Sequence, residues 1–482
     1  RNNATSVTST ESDVKILISN PDYERDGWHS PHTVVLVVHR DMPFITDSIL
    51  LELSHHDLTT HSLQNLVLNT RRENGELEEI TDDGTAETLI YAEIDRINID
   101  EFADLDTRLR EVLTEVRQIV TDFEPMKHQV DELLTRLDES ATGIDSVELS
   151  EAKAFLSWLS DDHFTFLGYR EFKIAEGLVE QVAGSELGLL KARRRASSRK
   201  LADMPERTRS FILKPELLSF SKSGTRSRVH RHAYPDYIAV KLFNDDGEVV
   251  GECGFLGLYT SIVYSQPPET IPVIARKVQR IFDRSELDQA GFNGKVLAQV
   301  IATHPRDELF QASEDELFET AIAITHSYER SKVKLFVRAG RYGLFYSCLV
   351  YIPRELHNTQ LRISIQELLI NAFGAIDAEF YTYMSESILV RTQIILRVHP
   401  MRELHYDVRE LEAQIINLTR DWSQDLQQIL KEEYGEQTGR HYSKSYLHAF
   451  PASYQEFFSP RSGFYDVKHL DDLDDKNNMA MR

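Results

Sequence analysis

The chain has 482 residues, a length that corresponds to about three domains, and 41% of them are hydrophobic, which is enough for sizeable cores. It carries 54 Lys and Arg against 78 Asp and Glu, so its net charge is -24. This acidic surface disfavours non-specific binding to nucleic acids and to anionic membranes.

The sequence contains no apolar run of membrane-spanning length and no signal peptide. Its two cysteines, Cys253 and Cys348, lie far apart in apolar stretches, as reduced core thiols do. We therefore predict a cytoplasmic protein without nucleic-acid or membrane partners. Because the sequence begins at Arg1 instead of Met, we interpret it as a piece of a longer protein.

Residues 13–124 form the first predicted domain, with the element order ββαββα. Alternating and helical apolar patterns predict its elements as strands Val14–Ile18 and Thr33–His39, helix Phe44–Leu53, strands Leu58–Leu68 and Leu89–Ile97, and helix Phe102–Val120. We expect a four-stranded antiparallel sheet with both helices on one face, in which the first strand pairs inside its own domain. Residues 125–146 are predicted to be a connecting helix, starting at Pro125, and a linker.

The segment Asp41-Met-Pro-Phe-Ile-Thr-Asp47 resembles the loop between the first strand and first helix of ACT-type sensing domains. That loop usually reads Asp-x-Pro-Gly-Leu, and Phe44 stands here at the glycine position. The resemblance makes Asp41, Pro43, Phe44 and Asp47 candidate effector-binding residues. Capping of the helix is the alternative role for the two aspartates.

Residues 147–284 form the second predicted domain, a mainly antiparallel sheet with flanking helices, as in PAS-type sensors. Strands Tyr237–Phe243 and Glu248–Tyr259 read as a hairpin, with 260–264 continuing the sheet. The basic run Arg193–Lys200 is either a phosphate or acidic-partner site or a solvated loop.

Three further patterns have both a chemical and a structural interpretation. Asp161, Asp162 and His163 are either an acid–base group or a turn that caps a helix. The histidines 55, 56, 61, 230 and 232 would need additional converging ligands to bind a metal. The glycines 251, 254 and 257 have the wrong spacing for a dinucleotide site and indicate close backbone packing. We predict no catalytic, cofactor-binding or metal-binding residue in this chain.

Residues 285–331 are predicted to be connecting helices, with Ser313 and Glu316 as a capping box. Residues 332–435 form the third predicted domain and repeat the order ββαββα. Its predicted elements are strands Lys332–Arg338 and Leu344–Ile352, a helix capped by Asn358 or Thr359 and ended by Gly374, strands Ile376–Met384 and Ile388–Val398, and helix Val408–Glu433. Residues 436–482 are the start of a further helical region or a tail.

The repeated order specifies the fold class that we predict. Moving the first strand of ββαββα to the end gives βαββαβ, the ferredoxin-like arrangement that ACT domains use. The prediction is therefore an α+β protein in which two ferredoxin-like, ACT-type domains flank a PAS-like antiparallel-sheet domain.

Aromatic residues are frequent in the strands of the third domain. The two helices of the domain can cover only one face of its sheet. Because successive side chains of a strand point to opposite faces, some aromatic residues lie on the other face. Tyr381 and Tyr383 are the candidate interface residues on that face. Burial inside the same chain is the alternative.

Long motifs along nearly the whole chain resemble one family, the large bacterial NAD-dependent glutamate dehydrogenases. The motifs are Asn20-Pro-Asp-Tyr-Glu-Arg-Asp-Gly-Trp28, Asp41-Met-Pro-Phe-Ile-Thr-Asp-Ser48, Thr121-Asp-Phe-Glu-Pro-Met126, His163-Phe-Thr-Phe-Leu-Gly168, Arg228-Val-His-Arg231, Tyr234-Pro-Asp-Tyr237, Gly257-Leu-Tyr-Thr-Ser261, Tyr346-Ser-Cys-Leu-Val-Tyr-Ile-Pro-Arg354, Glu386-Ser-Ile-Leu389 and Ala449-Phe-Pro-Ala-Ser-Tyr454.

The resemblance implies an N-terminal regulatory and oligomerisation region. The full-length parent would oxidatively deaminate L-glutamate with NAD, and its catalytic domain would lie beyond Arg482. The implied partners are that catalytic domain, further copies of the chain and an amino-acid effector. The alternatives are an independent amino-acid-sensing module and an enzyme centred on Asp162 and His163.

Overall fold

The structure is a computed structural model that describes residues 14–139, 144–191, 198–327, 332–385, 387–399, 404–419, 422–471 and 473. It divides into two compact units. The first comprises Arg1–Thr325 with Gly340–Phe345, and the second comprises His326–Ala339 with Tyr346–Arg482. Antiparallel sheets and helices occur in both units, so the predicted α+β class is confirmed. In the described ranges no helix is long and apolar enough to cross a membrane.

The first sheet has five strands in the order β1-β2-β5-β3-β4, and every neighbouring pair is antiparallel. Its elements are β1 (Lys15–Ser19), α1 (Tyr23–Asp26), β2 (Thr33–Arg40), α2 (Ile45–His55), β3 (Thr60–Glu73), β4 (Glu76–Ile80), β5 (Thr85–Ile94) and α3 (Phe102–Glu139). Strand β5 lies between β2 and β3, the two strands joined through α2. Strand β1 pairs with β2, with Lys15 opposite Val38, as predicted.

The predicted count of four strands is wrong for this sheet. Strand β4 forms a hairpin with β3 between the predicted strands Leu58–Leu68 and Leu89–Ile97, where no strand was predicted. All five residues of β4 are exposed. A hairpin strand that covers no core needs no apolar alternation, so its pattern does not mark it as a strand.

Helix α3 is a second departure, because it runs through Pro125 for 38 residues without a break. The prediction ended one helix before Pro125 and began another there. Proline removes one backbone N–H and normally kinks or ends a helix. Here buried apolar residues continue on both sides of it, including Ile119, Met126 and Val130, so packing along the whole helix outweighs the local cost.

The core of this part lies between the sheet and helices α2 and α3. Alternate residues of β2 and β5 point into it and meet helical residues spaced three or four apart, among them Val35, Val37, Ile90, Ala92, Ile49, Leu53, Leu109 and Val116. Each fully buried Leu, Ile or Val contributes about 1.5–3 kcal/mol. This packing positions the N-terminus of α2.

The second sheet has seven strands, with the path β10-β11-β12-β6-β7-β9 and β8 paired to β6. Its elements are α4 (Ser146–Trp158), β6 (Phe164–Ala175), β7 (Leu178–Gln181), β8 (Leu187–Gly188), β9 (Ser198–Lys200), α5 (Glu206–Leu213), β10 (Leu218–Lys222), β11 (Asp236–Phe243), β12 (Val249–Tyr259) and α6 (Ser261–Ser265). The predicted hairpin of β11 and β12 around Asn244–Gly247 is confirmed.

The predicted extension of this sheet over residues 260–264 is wrong, because residues 261–265 form helix α6. Tyr259 is opposite Phe164, the first residue of β6. Thr260 still donates its backbone N–H to the carbonyl of His163, at 3.0 Å. Beyond that point β6 offers no further backbone to pair with.

Four helices follow, namely α7 (Ile274–Ser285), α8 (Phe292–Ala302), α9 (Arg306–Gln311) and α10 (Glu314–Ser327). The predicted capping box at α10 is present. The Ser313 backbone N–H donates to the Glu316 carboxylate at 2.8 Å, and the Glu316 N–H donates to the Ser313 hydroxyl at 3.2 Å.

The third sheet repeats the first one without the extra hairpin strand. It is formed by β13 (Lys334–Ala339), β14 (Phe345–Pro353), α11 (Thr359–Phe373), β15 (Asp377–Tyr383) and β16 (Leu389–Arg397), in the order β13-β14-β16-β15. Strand β16 therefore lies between the two strands joined through α11. Asn358 caps α11 by accepting the Leu361 N–H at 2.8 Å, and Gly374 ends the helix with φ 56°.

The predicted single helix 408–433 is replaced by two, α12 (Val408–Leu418) and α13 (Trp422–Tyr434), with positions 420 and 421 outside the described residues. Three further helices are α14 (Glu436–Tyr446), α15 (Ala452–Phe457) and α16 (Pro460–Asp471). They share with α13 a core of Leu426, Leu430, Phe450, Phe464 and Val467. Because α13 packs in this separate core, it does not continue α12.

Candidate functional site

The candidate site is the loop from β2 into α2, which contains Asp41, Pro43, Phe44 and Asp47. Asp41 is fastened to β5, because its backbone N–H donates to the carbonyl of Ala86 at 2.8 Å and its carboxylate accepts the hydroxyl of Thr88. Asp41, Pro43 and Asp47 are exposed to solvent. This geometry gives Asp41 a role in holding the loop, whereas Asp47, in the first turn of α2, faces outward.

Phe44 adopts the left-handed conformation that a glycine would take at this position, with φ 72° and ψ -2°. It is the N-cap of α2, and its side chain makes no capping hydrogen bond. A non-glycine residue in this region costs about 1–2 kcal/mol. The packing of the partly buried Phe44 ring against the core offsets this conformational cost.

A segment from the second sheet domain, residues 227–233, covers the start of α2. The ring of His230 lies 4.9 Å from the ring of Phe44. The backbone N–H of His230 donates to the Ser48 hydroxyl at 3.3 Å, and Val229 is fully buried in the core shared with α2. The two strained residues, Phe44 and His230 (φ 68°), therefore face each other across the loop.

A buried carboxylate anchors this segment to the helices. Glu52 is 2% exposed and accepts from Arg228 at 3.0 Å and from His56 at 3.2 Å. Arg108 donates to the other ring nitrogen of His56 at 3.1 Å, so His56 carries its proton on Nε2. The charge of Glu52 is thus satisfied by His56, at the end of α2, and by Arg228 of the 227–233 segment, while Arg108 of α3 orients His56.

The imidazole of His230 is the titratable group at the centre of the site. Burial lowers its pKa, the charge of Arg231 lowers it further, and Asp47 acts in the opposite direction. Its Nδ1 is buried without a hydrogen bond and lies 4.0 Å from the Asp47 carboxylate. A ligand beside Asp47 would therefore meet a neutral imidazole and an exposed carboxylate, an arrangement that suits an ammonium group better than a carboxylate.

The other predicted histidines are paired with neighbours. His55 lies 5.0 Å from His232, and His61 stacks on His32 at 4.0 Å. His61 also donates to Asp95 at 2.7 Å, and hydrogen bonds from the Thr59 backbone and from His61 lower the pKa of Asp95 to about 2. Among the residues that the structure describes, no group of three or more His, Cys, Asp or Glu has the arrangement of a metal site.

Asp162 and His163 form a corner between α4 and β6. The Nδ1–H of His163 donates to the carbonyl of Trp158 at 2.8 Å, and the Gln266 amide donates to Nε2 at 3.1 Å. The imidazole also stacks on Trp158, with ring centroids 4.3 Å apart. Asp162 has φ 56°, and its carbonyl accepts the Thr260 hydroxyl. Both ring nitrogens of His163 are occupied, so its imidazole is not available as a general base.

The glycines of β12 are packing residues, as predicted. A methyl group at Gly254 would lie 2.0 Å from the Tyr237 hydroxyl, and one at Gly257 would lie 2.4 Å from the Phe164 ring. Most of the basic loop, residues 192–197, falls outside the described residues, and Ser198–Lys200 form the edge strand β9.

Only part of the predicted aromatic face is open. Phe345, Tyr346 and Tyr351 are each at most 8% exposed. Tyr381 and Tyr383 are 54% and 40% exposed, and both lie on the edge strand β15. Among the aromatic residues of this sheet that the structure describes, those exposed by 40% or more are Phe380, Tyr381 and Tyr383, all on β15.

A buried charge cluster beside the second sheet, formed by Lys222, Asp236 and Asp307, is not apparent from the sequence. Lys222 lies 3.0 Å from both Asp236 and Asp307. Burial, together with the charge of Asp307, raises the pKa of Asp236 to about 7 despite the opposing charge of Lys222. Lys222 and Asp236 are cross-strand partners in β10 and β11, but the third partner comes from α9, 71 positions further along. No local pattern could have identified it.

Four family models match the chain. The glutamate dehydrogenase ACT1 domain matches residues 3–109 and the ACT2 domain residues 334–423. Helical motifs 1 and 2 of the same enzymes match residues 271–330 and 429–473. The two ACT matches fall on the first and third sheets, which share one strand order.

Similar curated proteins are NAD-specific glutamate dehydrogenases. The Pseudomonas aeruginosa protein is 41% identical over 97% of this chain, and the Halomonas elongata protein is 38% identical over 97%. The Mycobacterium tuberculosis protein is 28% identical over 77% of this chain. The chain spans 30% of the length of the first two relatives and 23% of the third. With ACT1, ACT2 and both helical motifs present in one chain, this protein belongs to the family of the NAD-specific glutamate dehydrogenases.

Proposed function

We propose that this chain is the N-terminal regulatory and oligomerisation region of a large NAD-dependent glutamate dehydrogenase. The parent would oxidatively deaminate L-glutamate to 2-oxoglutarate and ammonia, with NAD bound elsewhere in the full-length protein. The observation that carries this proposal is the coincidence of two ACT family matches with two sheets of the same strand order. ACT domains are small-molecule-sensing modules, so regulation by a ligand is the function that this architecture supports.

The proposed domain architecture is finer than the family assignment. A strand lies between the two strands joined through a helix in both ACT sheets, as in the split βαβ unit of ferredoxin-like folds. In the second sheet the first strand, β6, lies at the centre beside the last strand, β12. This antiparallel order supports a PAS-like middle domain, which we place at residues 147–284 between ACT-like domains at 13–124 and 332–435.

The proposed effector is an amino acid that binds at Asp41, Pro43, Phe44 and Asp47. The exposed carboxylate of Asp47 would receive the ammonium group, because it lies beside an imidazole whose pKa burial lowers. The strained Phe44 and His230 support this assignment, since such backbone strain is concentrated at ligand-binding and switch regions. Binding there would act on the contact between α2 and the 227–233 segment.

The proposed assembly surface is the edge strand β15. An exposed strand edge promotes pairing with another chain unless charges or prolines protect it. In an antiparallel pair of two β15 strands centred on Phe380, Glu379 would face Tyr381 and Asp377 would face Tyr383. No two carboxylates would oppose each other, so the strand is compatible with itself as a partner. We propose a cytoplasmic homo-oligomer assembled in part through this strand.

An independent enzyme around Asp162 and His163 receives no support, because the imidazole is fully engaged by Trp158 and Gln266. The decisive test uses the full-length parent with and without this region. We expect the truncated parent to retain glutamate-dependent NAD reduction. It should no longer respond to amino acids, and it should form a smaller oligomer than the full-length parent. Glutamate-dependent NAD reduction by the isolated chain, or an unchanged response and assembly after truncation, would overturn the proposal.

A further inference from the structure

A cavity of about 380 Å³ lies in the first unit, between β10 and helices α4, α5 and α7. Small-molecule sites in proteins commonly have volumes of roughly 300–1,000 Å³. One wall is aromatic and is formed by Phe211, Phe220 and Phe310. The cavity is separate from the Asp41–Asp47 loop, none of whose residues lines it.

Most of the charged groups in its wall already have partners. Arg276 pairs with Glu151 at 3.2 Å, and Arg280 pairs with Glu314 at 3.0 Å. Lys277 donates to three backbone carbonyls at the end of α9, at 2.8–3.0 Å. These contacts fix the rim of the cavity, pair the charges of Arg276 and Arg280 with carboxylates, and engage the ammonium group of Lys277 in hydrogen bonds.

Arg341 is the exception among the lining cations. Its guanidinium lies over the ring of Phe211, 5.7 Å from the centroid, and forms no ion pair with a carboxylate in the part of the chain that the structure describes. A half-buried guanidinium presents a planar set of donors that matches a carboxylate in two parallel hydrogen bonds. The cavity therefore offers one unused anion-binding group next to an aromatic wall.

The wall also contains a strained residue. Val273, the N-cap of α7, has φ 70° and ψ -47°. A β-branched residue at positive φ is a genuine outlier, and such strain is concentrated at ligand clamps and active sites. Val273 is followed, in the first turn of α7, by Arg276 and Lys277 of the same wall.

We propose that this cavity binds an α-amino acid with an apolar side chain. The carboxylate would pair with Arg341, and the side chain would lie against Phe211, Phe220 and Phe310. The ammonium group would lie at Glu148, whose carboxylate accepts the Leu217 backbone N–H at 2.9 Å and forms no ion pair in the part of the chain that the structure describes. The middle domain would then hold a ligand site of its own, in addition to the one proposed in the first ACT domain.

The test is isothermal titration calorimetry of this chain with L-phenylalanine and two analogues, each of which lacks one charged group. We expect saturable binding of L-phenylalanine, and binding weaker by about tenfold or more for 2-phenylethylamine and for 3-phenylpropionate. Arg341→Ala should weaken L-phenylalanine binding by about tenfold or more while leaving 2-phenylethylamine unchanged. Arg341→Lys should give an intermediate affinity, because it keeps the charge but not the planar pair of donors.

Arg199→Ala is the matched control, since it removes the same charge from β9, at the opposite end of the sheet from β10. It should bind L-phenylalanine as the unmodified chain does. Asp47→Asn separates this proposal from the effector site of the ACT1 domain, and it should also leave the binding unchanged. Absence of L-phenylalanine binding, or binding that depends on Asp47 and not on Arg341, would overturn the proposal.

Discussion

The ring of Phe44 packs against the imidazole of His230, with the ring centroids 4.9 Å apart and the planes inclined by 47°. Both residues have left-handed backbones, with φ 72° and 68°. The loop between β2 and α2 and the segment between β10 and β11 are thus held together by two residues in unfavourable conformations. The packing of α2 with Val229 and the Arg228–Glu52 pair hold the two segments of the chain in this position.

The backbone strain at Phe44 can be measured by comparing two substitutions. Phe44→Ala removes the ring and keeps a side chain in the left-handed region, whereas Phe44→Gly removes the ring and the strain together. We expect the glycine variant to be more stable than the alanine variant by about 1 kcal/mol in urea unfolding, because glycine adopts positive φ without a steric cost. An alanine variant as stable as the glycine variant would show that the loop relaxes when the ring is lost.

The buried carboxylate of Glu52 makes Arg228 important for stability. Arg228→Met should lower the free energy of unfolding by about 2 kcal/mol, because Glu52, at 2% exposure, would lose its charged partner. This loss of unfolding free energy is smaller than the loss expected for a fully buried ion pair, because the Arg228 side chain is 33% exposed. Adding Glu52→Gln should restore part of the loss.

The control for this pair is Arg25→Met. The Arg25 side chain is 62% exposed and pairs with its neighbour Asp26. Exposed pairs contribute about 0–1 kcal/mol, so little change is expected. If Arg228→Met and Arg25→Met had equal effects, the Glu52 network would have no special role in holding the 227–233 segment.

The stability of the chain should depend on pH through Asp236. Burial and the nearby Asp307 carboxylate raise the pKa of Asp236 from 3.8 to about 7. Between these values the folded state binds more protons than the unfolded state, so stability falls as pH rises through this window, by at most about 1.4 kcal/mol per pH unit. Asp236→Asn should flatten this part of the curve, measured by urea unfolding at several pH values from 4 to 8.

Asp307→Asn tests the cause of that pH dependence. Removal of the second carboxylate leaves Asp236 with Lys222 alone, and the pKa of Asp236 should fall. The decrease in stability should then occur at lower pH than in the unmodified chain. An unchanged curve in both variants would assign the pH dependence to other groups.

The exposed tyrosines of β15 should affect assembly and not folding. Replacing Tyr381 and Tyr383 together with Ser should reduce the subunit number of the full-length protein, measured by light scattering, with little change in thermal stability, because both side chains are largely exposed. Tyr23→Ser, at a site that is 71% exposed in the ACT1 domain, is the matched control. An unchanged subunit number in the double variant would show that the exposed tyrosines of β15 do not contribute to assembly.

Local patterns in the sequence determined the repeated ββαββα order, the cap at Asn358, the stop at Gly374 and the Ser313–Glu316 capping box. Each depends on residues within a few positions of one another, where helical and strand periodicities and cap preferences operate. The family resemblance rests on the same short motifs. These features therefore follow from the sequence without knowledge of the tertiary structure.

The features that depend on distant partners follow from tertiary packing and not from local sequence patterns. Helix α3 continues through Pro125 because it packs along its whole length. The residues after Tyr259 form a helix because β6 begins at Phe164 and offers them no strand to pair with. The same holds for Glu52 with Arg228, which are 176 positions apart, and for the cavity beside Arg341. An ion pair or a cavity wall formed by separate elements leaves no periodic pattern in the sequence. Its residues interact only when those elements pack together.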